Sequence, residues 1–366
     1  MRKDFIILAI IGLFTNFDSF SQCNGSAELC NRKFNEIAYL TTHNAFNSSQ
    51  DNFLFPNQNF NITSQLNNGV RALMIDVYDF FGTPTVYHGS SLLGSSSFLN
   101  YLNDIKVFLD NNPNEVISVI LECYTSSNEI ENDLIQADLL GSLYTHSLGN
   151  DWPTLQAMID SGQRLVIFTD KQDASPSQAW YHYVWDFAVE THFTANSIND
   201  FNCDYNRGDA SNDLFILNHF ITNAALGFGE ESEAIIVNAN PFLIDRALEC
   251  FQEKNKFPNF ITLDFYDQGE GLAAVNELNQ IVLSDLEIEN EEKVSIYPVP
   301  SSGIITIEGD ISLIDLSLFS ESGQNLSDRV NVIQINDSKC SIDITDLSEG
   351  LYFVKVKEKV IKVVRK

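Results

Sequence analysis

Short apolar runs recur through the first three quarters of the chain. They are Glu36-Ile-Ala-Tyr-Leu-Thr-Thr-His-Asn44, Val70-Arg-Ala-Leu-Met-Ile-Asp-Val-Tyr-Asp79, Thr85-Val-Tyr-His88, Val116-Ile-Ser-Val-Ile-Leu-Glu122, Arg164–Asp170, Leu214–His219 and Phe260–Tyr266. Each is too brief for a helix and rich in β-branched or aromatic residues, so each reads as a strand. Amphipathic stretches lie between them at Ser97–Asn111, Asn128–Gly141 and Gly271–Val282. Near-continuous apolar strands alternating with helices predict an α/β fold, a parallel sheet closed into a TIM-type barrel. The ionisable residues collect at the C-terminal ends of the runs, where such barrels carry their sites.

Residues 284–293, Ser-Asp-Leu-Glu-Ile-Glu-Asn-Glu-Glu-Lys, read as a charged linker. Beyond it the period changes to short alternating strands at Ile304–Glu308, Ile314–Ser320, Ser341–Ile344 and Leu351–Lys357, separated by turn residues. Residues 294–366 are therefore expected to form a small all-β sandwich. At the other end, Met1-Arg-Lys-Asp precedes an apolar run from Phe5 to Phe14, and Ser19-Phe-Ser21 offers a cleavage site. Residues 1–21 are expected to be a secretory signal peptide. The barrel domain then spans 22–283. No other run is long enough to cross a bilayer, so the mature chain is expected to lack a transmembrane segment.

Of the 366 residues, 44% are apolar, enough to fill a large core. The formal charge of −29 repels nucleic acid phosphates and disfavours DNA or RNA as partners. It also works against a strongly anionic bilayer. In an exported chain the six cysteines allow disulfides. Cys23 and Cys30 are close enough for a local loop, Cys203 and Cys250 form a plausible long-range pair, and Cys123 reads as a buried thiol. None has zinc-ligand spacing.

Two imidazoles, His43 and His88, can pass a proton in and out. Two carboxylates, Asp76 and Glu122, with the amide of Asn44, offer oxygen donors to a hard cation. His146, His182 and His192 lack such context and read as structural. His219, after Asn218, could line a pocket. Arg71 faces away from Asp76 by period-2 parity and reads as structural.

These residues carry a family likeness. Thr41-Thr-His-Asn-Ala-Phe46, Gly69–Asp79 and Val86-Tyr-His88 resemble the X domain of phosphatidylinositol-specific phospholipase C, most nearly its secreted single-domain members from plants, fungi and bacteria. Val119-Ile-Leu-Glu122, Asp151-Trp-Pro153, Gln163–Phe168 and Asn259–Tyr266 continue the match in order, over roughly residues 30–270. A second resemblance, over about residues 293–366, is to the type IX secretion sorting domain of Bacteroidetes. It rests on Tyr297-Pro-Val-Pro300, Gly303, Asp346-Leu-Ser-Glu-Gly-Leu-Tyr-Phe353 and the final basic strand. It implies handling by the type IX machinery, transfer across the outer membrane, and a product that is secreted or held at the cell surface.

The first resemblance implies a phosphoric diester hydrolase or lyase in which a head-group hydroxyl attacks phosphorus. His43 would act as base or transition-state stabiliser, and His88 as acid for the leaving oxygen. Asp264 matches an aspartate that orients the first histidine. In the calcium-dependent branch, Asn44, Asp76 and Glu122 match three ligands, whereas Met74 stands where a fourth, acidic ligand would be. The calcium-independent branch uses an arginine at the position of Asp76, and this chain lacks it. Ca²⁺ is thus the expected cofactor, with one ligand short. Lys171 resembles a phosphate-contacting lysine, and Arg207 and Asn218 are candidate substrate contacts.

Three functions stay open. One is a secreted phospholipase C-type phosphodiesterase acting on a phospholipid. Another is a glycerophosphodiesterase-like enzyme on soluble diesters, favoured by the acidic surface and the lack of an obvious exposed aromatic wedge. The third is a non-catalytic surface binding module, disfavoured because both histidines are retained. Nothing signals an obligate oligomer, so a monomer is expected.

Overall fold

A computed structural model of the chain describes residues 22–222, 228–290, 295–308, 316–321, 323–336, 339–356 and 359–366. The expected leader, residues 1–21, lies outside the described residues. The chain divides into two compact units, residues 1–280 and 281–366.

In the larger unit eight strands run parallel in chain order around one sheet. They are β1 (Tyr39–Thr42), β2 (Ala72–Phe80), β5 (Ile117–Tyr124), β6 (Leu165–Thr169), β7 (Tyr181–Tyr183), β8 (Ala188–Thr191), β10 (Leu214–Asn218) and β11 (Phe260–Leu263). β11 pairs with β1, so the sheet curls back on itself as a TIM-type barrel does. Among the described residues no ladder joins β7 to β8, and the one-turn helix α5 (Val184–Phe187) links them across that seam. β3 (Thr83–Val86) and β9 (Tyr205–Arg207) are antiparallel additions to β2 and β8, and β4 (Ser96–Ser97) extends β3. The run Thr85–His88 is therefore the return arm of a hairpin and not a barrel stave. β2 overshoots the barrel rim, turns at Phe81-Gly82, and β3 brings the chain back until Val86 stands opposite Val77.

The helices follow the expected apolar spacing. α2 (Phe98–Asn111) buries Phe98, Tyr101, Leu102, Ile105, Phe108 and Leu109, one stripe at i, i+3, i+4 intervals. α3 (Ser127–Gln136) starts at a capping box of Ser126 and Glu129 and stops before Asp138, whose φ is 56°. α8 (Gly271–Asn290) continues through the first seven residues of the expected linker. No glycine or proline interrupts Leu272–Asn290, so nothing ends the helix earlier. Shorter helices, α1 (Ile62–Asn67), α4 (Leu155–Ser161) and α6 (Glu231–Val237), fill other connections between strands.

The barrel floor is aromatic. Phe34 stacks on Trp152 at 4.8 Å, Trp152 on His146 at 3.8 Å, and Tyr39 lies on Phe260 at 5.7 Å. His182 belongs to this floor: its Nε2 accepts the His146 amide at 2.9 Å and its Nδ1 bonds the Ile167 carbonyl at 2.9 Å. The Cys23–Cys30 disulfide packs against the same cluster, and Cys203–Cys250 ties the segment before β9 to α7 (Phe242–Lys254). Cys123 is a buried free thiol.

The smaller unit has two antiparallel sheets. One orders β12 (Ser295–Tyr297), β13 (Ile304–Glu308), β16 (Lys339–Asp343) and β15 (Asn331–Asn336); the other orders β14 (Leu316–Ser320), β17 (Gly350–Val356) and β18 (Lys359–Arg365). Alternate residues of both, among them Ile305, Ile307, Leu318, Ile342, Val354 and Val363, share one core.

Candidate active site

Period-2 alternation decides what reaches the mouth of the barrel. On β1 the inward series is Tyr39, Thr41 and then His43. On β2 it is Ala72, Met74, Asp76; on β5, Ile120 and Glu122; on β6, Phe168 and Asp170; on β10, Ile216 and Asn218; on β11, Phe260, Thr262 and Asp264. The lower members, Tyr39, Ala72, Ile120, Phe168, Ile216 and Phe260, are in the core cluster, with Met74 packed on it. The upper members His43, Asp76, Glu122, Asp170 and Asn218 line a cleft with about 630 Å³ of open space, together with Asn44, Glu190, Arg207 and Phe220. The same alternation that buries the core thus delivers polar groups one step above it.

His43 is fixed on three sides. Its Nδ1 lies 2.9 Å from Asp264 Oδ1, and its ring stacks on Phe220 at 4.0 Å and 7°. Its carbonyl accepts from Gln58 Nε2 at 2.8 Å, and the same amide reaches the Leu263 carbonyl at 3.0 Å, clamping the ends of β1 and β11 together. Asp264 is buried, and its Oδ1 also accepts from Asn57 Nδ2 at 3.0 Å. The chain leaves both strands through left-handed residues, Asn44 (φ 45°) after His43 and Phe265 (φ 46°) after Asp264. Asparagine tolerates that region; a buried phenylalanine there is strained, as residues beside functional groups often are. Burial works against a charged His43, yet Asp264, then Asp76 and Glu122, hold its pKa above the ordinary imidazole value.

His88 reaches the mouth from the hairpin and lines a cleft lobe shared with His43, Asn44, Asp76 and Glu122. The Phe228 ring meets it edge-on at 5.5 Å. Its Nδ1 is buried without a hydrogen-bond partner among the described residues. Burial, and then the charge of His43, lower its pKa. The two imidazoles of the cleft are thus shifted in opposite directions, His43 upward by its carboxylate neighbours and His88 downward by burial.

Asp76 and Glu122 stand opposite each other in the β2–β5 ladder. Burial first and the Glu122 charge second push Asp76 up to about 8, against the pull of His43. The Tyr124 hydroxyl donates to Glu122, and Tyr124, Tyr78 and Tyr87 stack in a column at 4.5 and 4.0 Å. Asn44 donates to Asn57 Oδ1 at 3.3 Å, which leaves its own amide oxygen free among the described residues. Two carboxylates and an amide oxygen are donors of the kind Ca²⁺ takes. Among the described residues no three His, Cys, Asp or Glu side chains converge as a metal cluster, in keeping with the thioether of Met74 where another carboxylate would be. Asn44, Asp76 and Glu122 line one cleft lobe, and by their chemistry these three oxygen donors suit a hard cation.

Several expected residues fall elsewhere. Lys171 does not line the cleft; it donates to the Thr125 carbonyl and pairs with Asp173 at 3.3 Å, because the chain turns outward after Asp170. His219 is buried off the cleft, its Nδ1 accepting from Arg246 at 2.9 Å and its Nε2 facing the Val237 carbonyl at 2.8 Å. Arg71 pairs with Glu115 at 2.6 Å, as its parity predicts. Asn57, Gln58, Glu190, Phe220 and Gly229 escape the sequence reading. A Cβ on Gly229 would lie 2.4 Å from Asp264 Oδ2, so that backbone approach needs glycine. The expected absence of an aromatic wedge is also corrected. Phe81 at the hairpin tip is 95% exposed and Leu92 90%, with Leu54, Phe55 and Phe80 exposed as well. Phe55 stacks on Phe228 at 4.8 Å, which places Phe55 near His88.

Comparison with known proteins adds three findings. The family model described as PI-PLC X matches residues 29–279, and that of the secretion system C-terminal sorting domain matches residues 295–366. Over 264 residues the chain is 30% identical to a PI-PLC X domain-containing protein of Arabidopsis thaliana, covering 65% of this chain and 60% of that one. It is 28% identical over 286 residues to an "uncharacterized secreted protein" of Arthroderma benhamiae, covering 68% and 60%. The chain thus spans about 60% of the length of these two relatives. Among solved structures, the phosphatidylinositol-specific phospholipase C of Listeria monocytogenes aligns over 69% of this chain and 94% of that one, at 17% identity and a TM-score of 0.45.

Proposed function

This chain belongs to the PI-PLC X domain family and carries a sorting domain for export through the type IX secretion system, and on that premise we propose that it is a secreted phosphodiesterase cleaving inositol phospholipids. The observation that carries the reading is the pair of imidazoles facing one cleft, His43 held by Asp264 and His88 with an unpartnered nitrogen. His43 takes the proton of the attacking head-group hydroxyl as its oxygen bonds to phosphorus. The bond from phosphorus to the glycerol oxygen breaks, and His88 protonates that oxygen. Asp264 holds the tautomer that leaves His43 Nε2 free to accept, and it stabilises the imidazolium that forms. Asn44, Asp76 and Glu122 would hold Ca²⁺, which supplies positive charge for the phosphoryl oxygens when bound.

The exposed rim at Phe81, Phe80 and Leu92 favours a substrate presented at an interface. A second reading, a soluble glycerophosphodiester, draws on the charge of −29. Phosphorus NMR separates them. The protein is incubated with phosphatidylinositol in neutral vesicles, or with soluble glycerophosphoinositol, each with calcium and with chelator. A cyclic inositol phosphate signal from the vesicles supports the lipid reading, and its loss under chelator supports calcium. Cleavage of the soluble diester alone supports the second reading, and no product from either sinks the enzyme reading.

A further inference from the structure

The cleft is crowded with negative charge. Asp76, Glu122, Asp170 and Glu190 all line it, and Arg207 is the only lysine or arginine among its described lining residues. An anionic diester entering such a place needs a cation to meet it.

Arg207 is held in an unusual way. It stands on β9, which turns back along β8, and Gly208 after it has φ 84°. A Cβ on that glycine would lie 2.1 Å from the Ala188 carbonyl, so only glycine lets the strand lie this close. The guanidinium carbon is 4.3 Å from the Trp185 ring centroid and 4.7 Å from that of Phe193, between two aromatic faces. Its Nε donates to Glu190 at 2.5 Å. Glu190 is buried and also accepts from Asn218 Nδ2 at 3.1 Å and Asn206 Nδ2 at 3.2 Å. Its carboxylate is therefore satisfied without the terminal nitrogens of the arginine. Neither of those nitrogens donates to any described residue. A planar fork fixed through its Nε, with both ends free in an anionic cleft, suits two oxygens of an oxyanion.

We infer that Arg207 is the phosphoryl receptor of this cleft. Its terminal nitrogens take non-bridging oxygens of a bound phosphoryl group, and Glu190, Trp185 and Phe193 are positioning residues that aim it. The inference rests on the reading of the cleft as a phosphodiester site. It moves the role expected of Lys171, which follows β6, to a residue on β9 beside β8, and it gives Asn218 a share in orienting Glu190 rather than a direct substrate contact.

The test is titration calorimetry of the full chain and of R207M, R207K and E190Q, with thermal melts to confirm folding. R207M keeps an apolar stem between the rings, and R207K keeps the charge but loses the fork. The probes are myo-inositol 1-phosphate, glycerophosphoinositol, whose one phosphate is the diester, and neutral myo-inositol. Kd for the phosphorylated probes is expected to rise about 10- to 100-fold in R207M, the range for hydrogen bonds to a charged group. R207K and E190Q should weaken them less, and myo-inositol binding should not change. Loss on both probes supports the inference, and loss confined to the monoester would mean that the arginine reads a terminal phosphate dianion and not the diester, which would overturn it. Equal weakening of myo-inositol would mean that the arginine reads ring hydroxyls and would overturn the inference, as would unchanged phosphate binding in R207M or none in the parent chain. Turnover of phosphatidylinositol is read separately. Arg207-dependent binding without turnover removes the enzyme reading alone, and turnover with unaltered R207M affinity removes this inference alone.

Discussion

Replacing Asp264 by asparagine tests the site at its hinge. Asp264 Oδ1 accepts from both His43 Nδ1 at 2.9 Å and Asn57 Nδ2 at 3.0 Å, while Oδ2 has no partner among the described residues. In D264N the new amide can leave its oxygen in the doubly accepting place, and its NH₂ then points where Oδ2 was, toward Gly229, with no described acceptor. The shape survives and the charge goes. A hydrogen bond to a charged group contributes about 1.5–3 kcal/mol and a neutral one about 1, so the imidazolium of His43 loses about 0.5–2 kcal/mol. Only Asp76 and Glu122 then oppose burial, and the His43 pKa must fall. The same loss in a transition state that protonates His43 slows kcat/KM by about 2- to 30-fold, and by more if the tautomer also changes. The assay is nitrogen-detected NMR of the imidazole across pH 5–9, with kcat/KM on phosphatidylinositol vesicles alongside. An unshifted His43 titration in folded D264N would refute the electrostatic role of Asp264. A shifted titration with unchanged kcat/KM would refute the role of His43 as the base.

Four further outcomes follow from the same geometry. Gly229→Ala should leave the fold intact and lower turnover at least tenfold, since its methyl collides with Asp264 Oδ2; NMR of His43 would show a disturbed ring. His88→Gln should cut kcat by about 10²–10⁴ with little change in calorimetric binding of inositol 1-phosphate, as removal of a general acid does. Phe81→Ser with Leu92→Ser should weaken sedimentation with neutral vesicles and spare cleavage of a soluble diester, because the rim lies outside the cleft. His182 is held neutral, its pKa pushed down to about 4 by burial. The unfolded chain takes up that proton below about pH 6.5 and the folded chain does not, so this group withdraws about 3 kcal/mol of stability as pH falls from 6.5 to 4. Melting curves of His182→Gln should therefore show a smaller drop between pH 7 and pH 4.5 than the parent chain, and equal drops would sink the assignment.

What the sequence discloses and what it conceals divide along physical lines. His43 and Glu122 are legible because each ends a short apolar run, and Asp76 because it interrupts one; period-2 parity says which face each shares with the core. Met74 reads as a gap in the donor set only through the family resemblance; parity adds that it shares a face with Asp76. Glu190 is hidden because β7 and β8 are only three and four residues long and carry no readable alternation. Their place in the barrel comes from pairing with β6 and β10, which no local pattern encodes. Asn57 and Gln58 are hidden in an asparagine-rich stretch that reads as a solvated loop, although both are buried and act between β1 and β11, more than two hundred residues apart in the chain. Lys171 misled because one position past a strand end decides whether a side chain points into a barrel or out of it. Arg207 shows the converse. Its neighbours in sequence are polar and its strand is an addition to the sheet edge, yet a glutamate, two aromatic rings and a close-packed glycine make it the best-held cation at the mouth. Local alternation can place a carboxylate over a core, but an anionic ligand must also meet a fixed positive charge, and here that charge comes from strands whose pairing only the folded barrel creates.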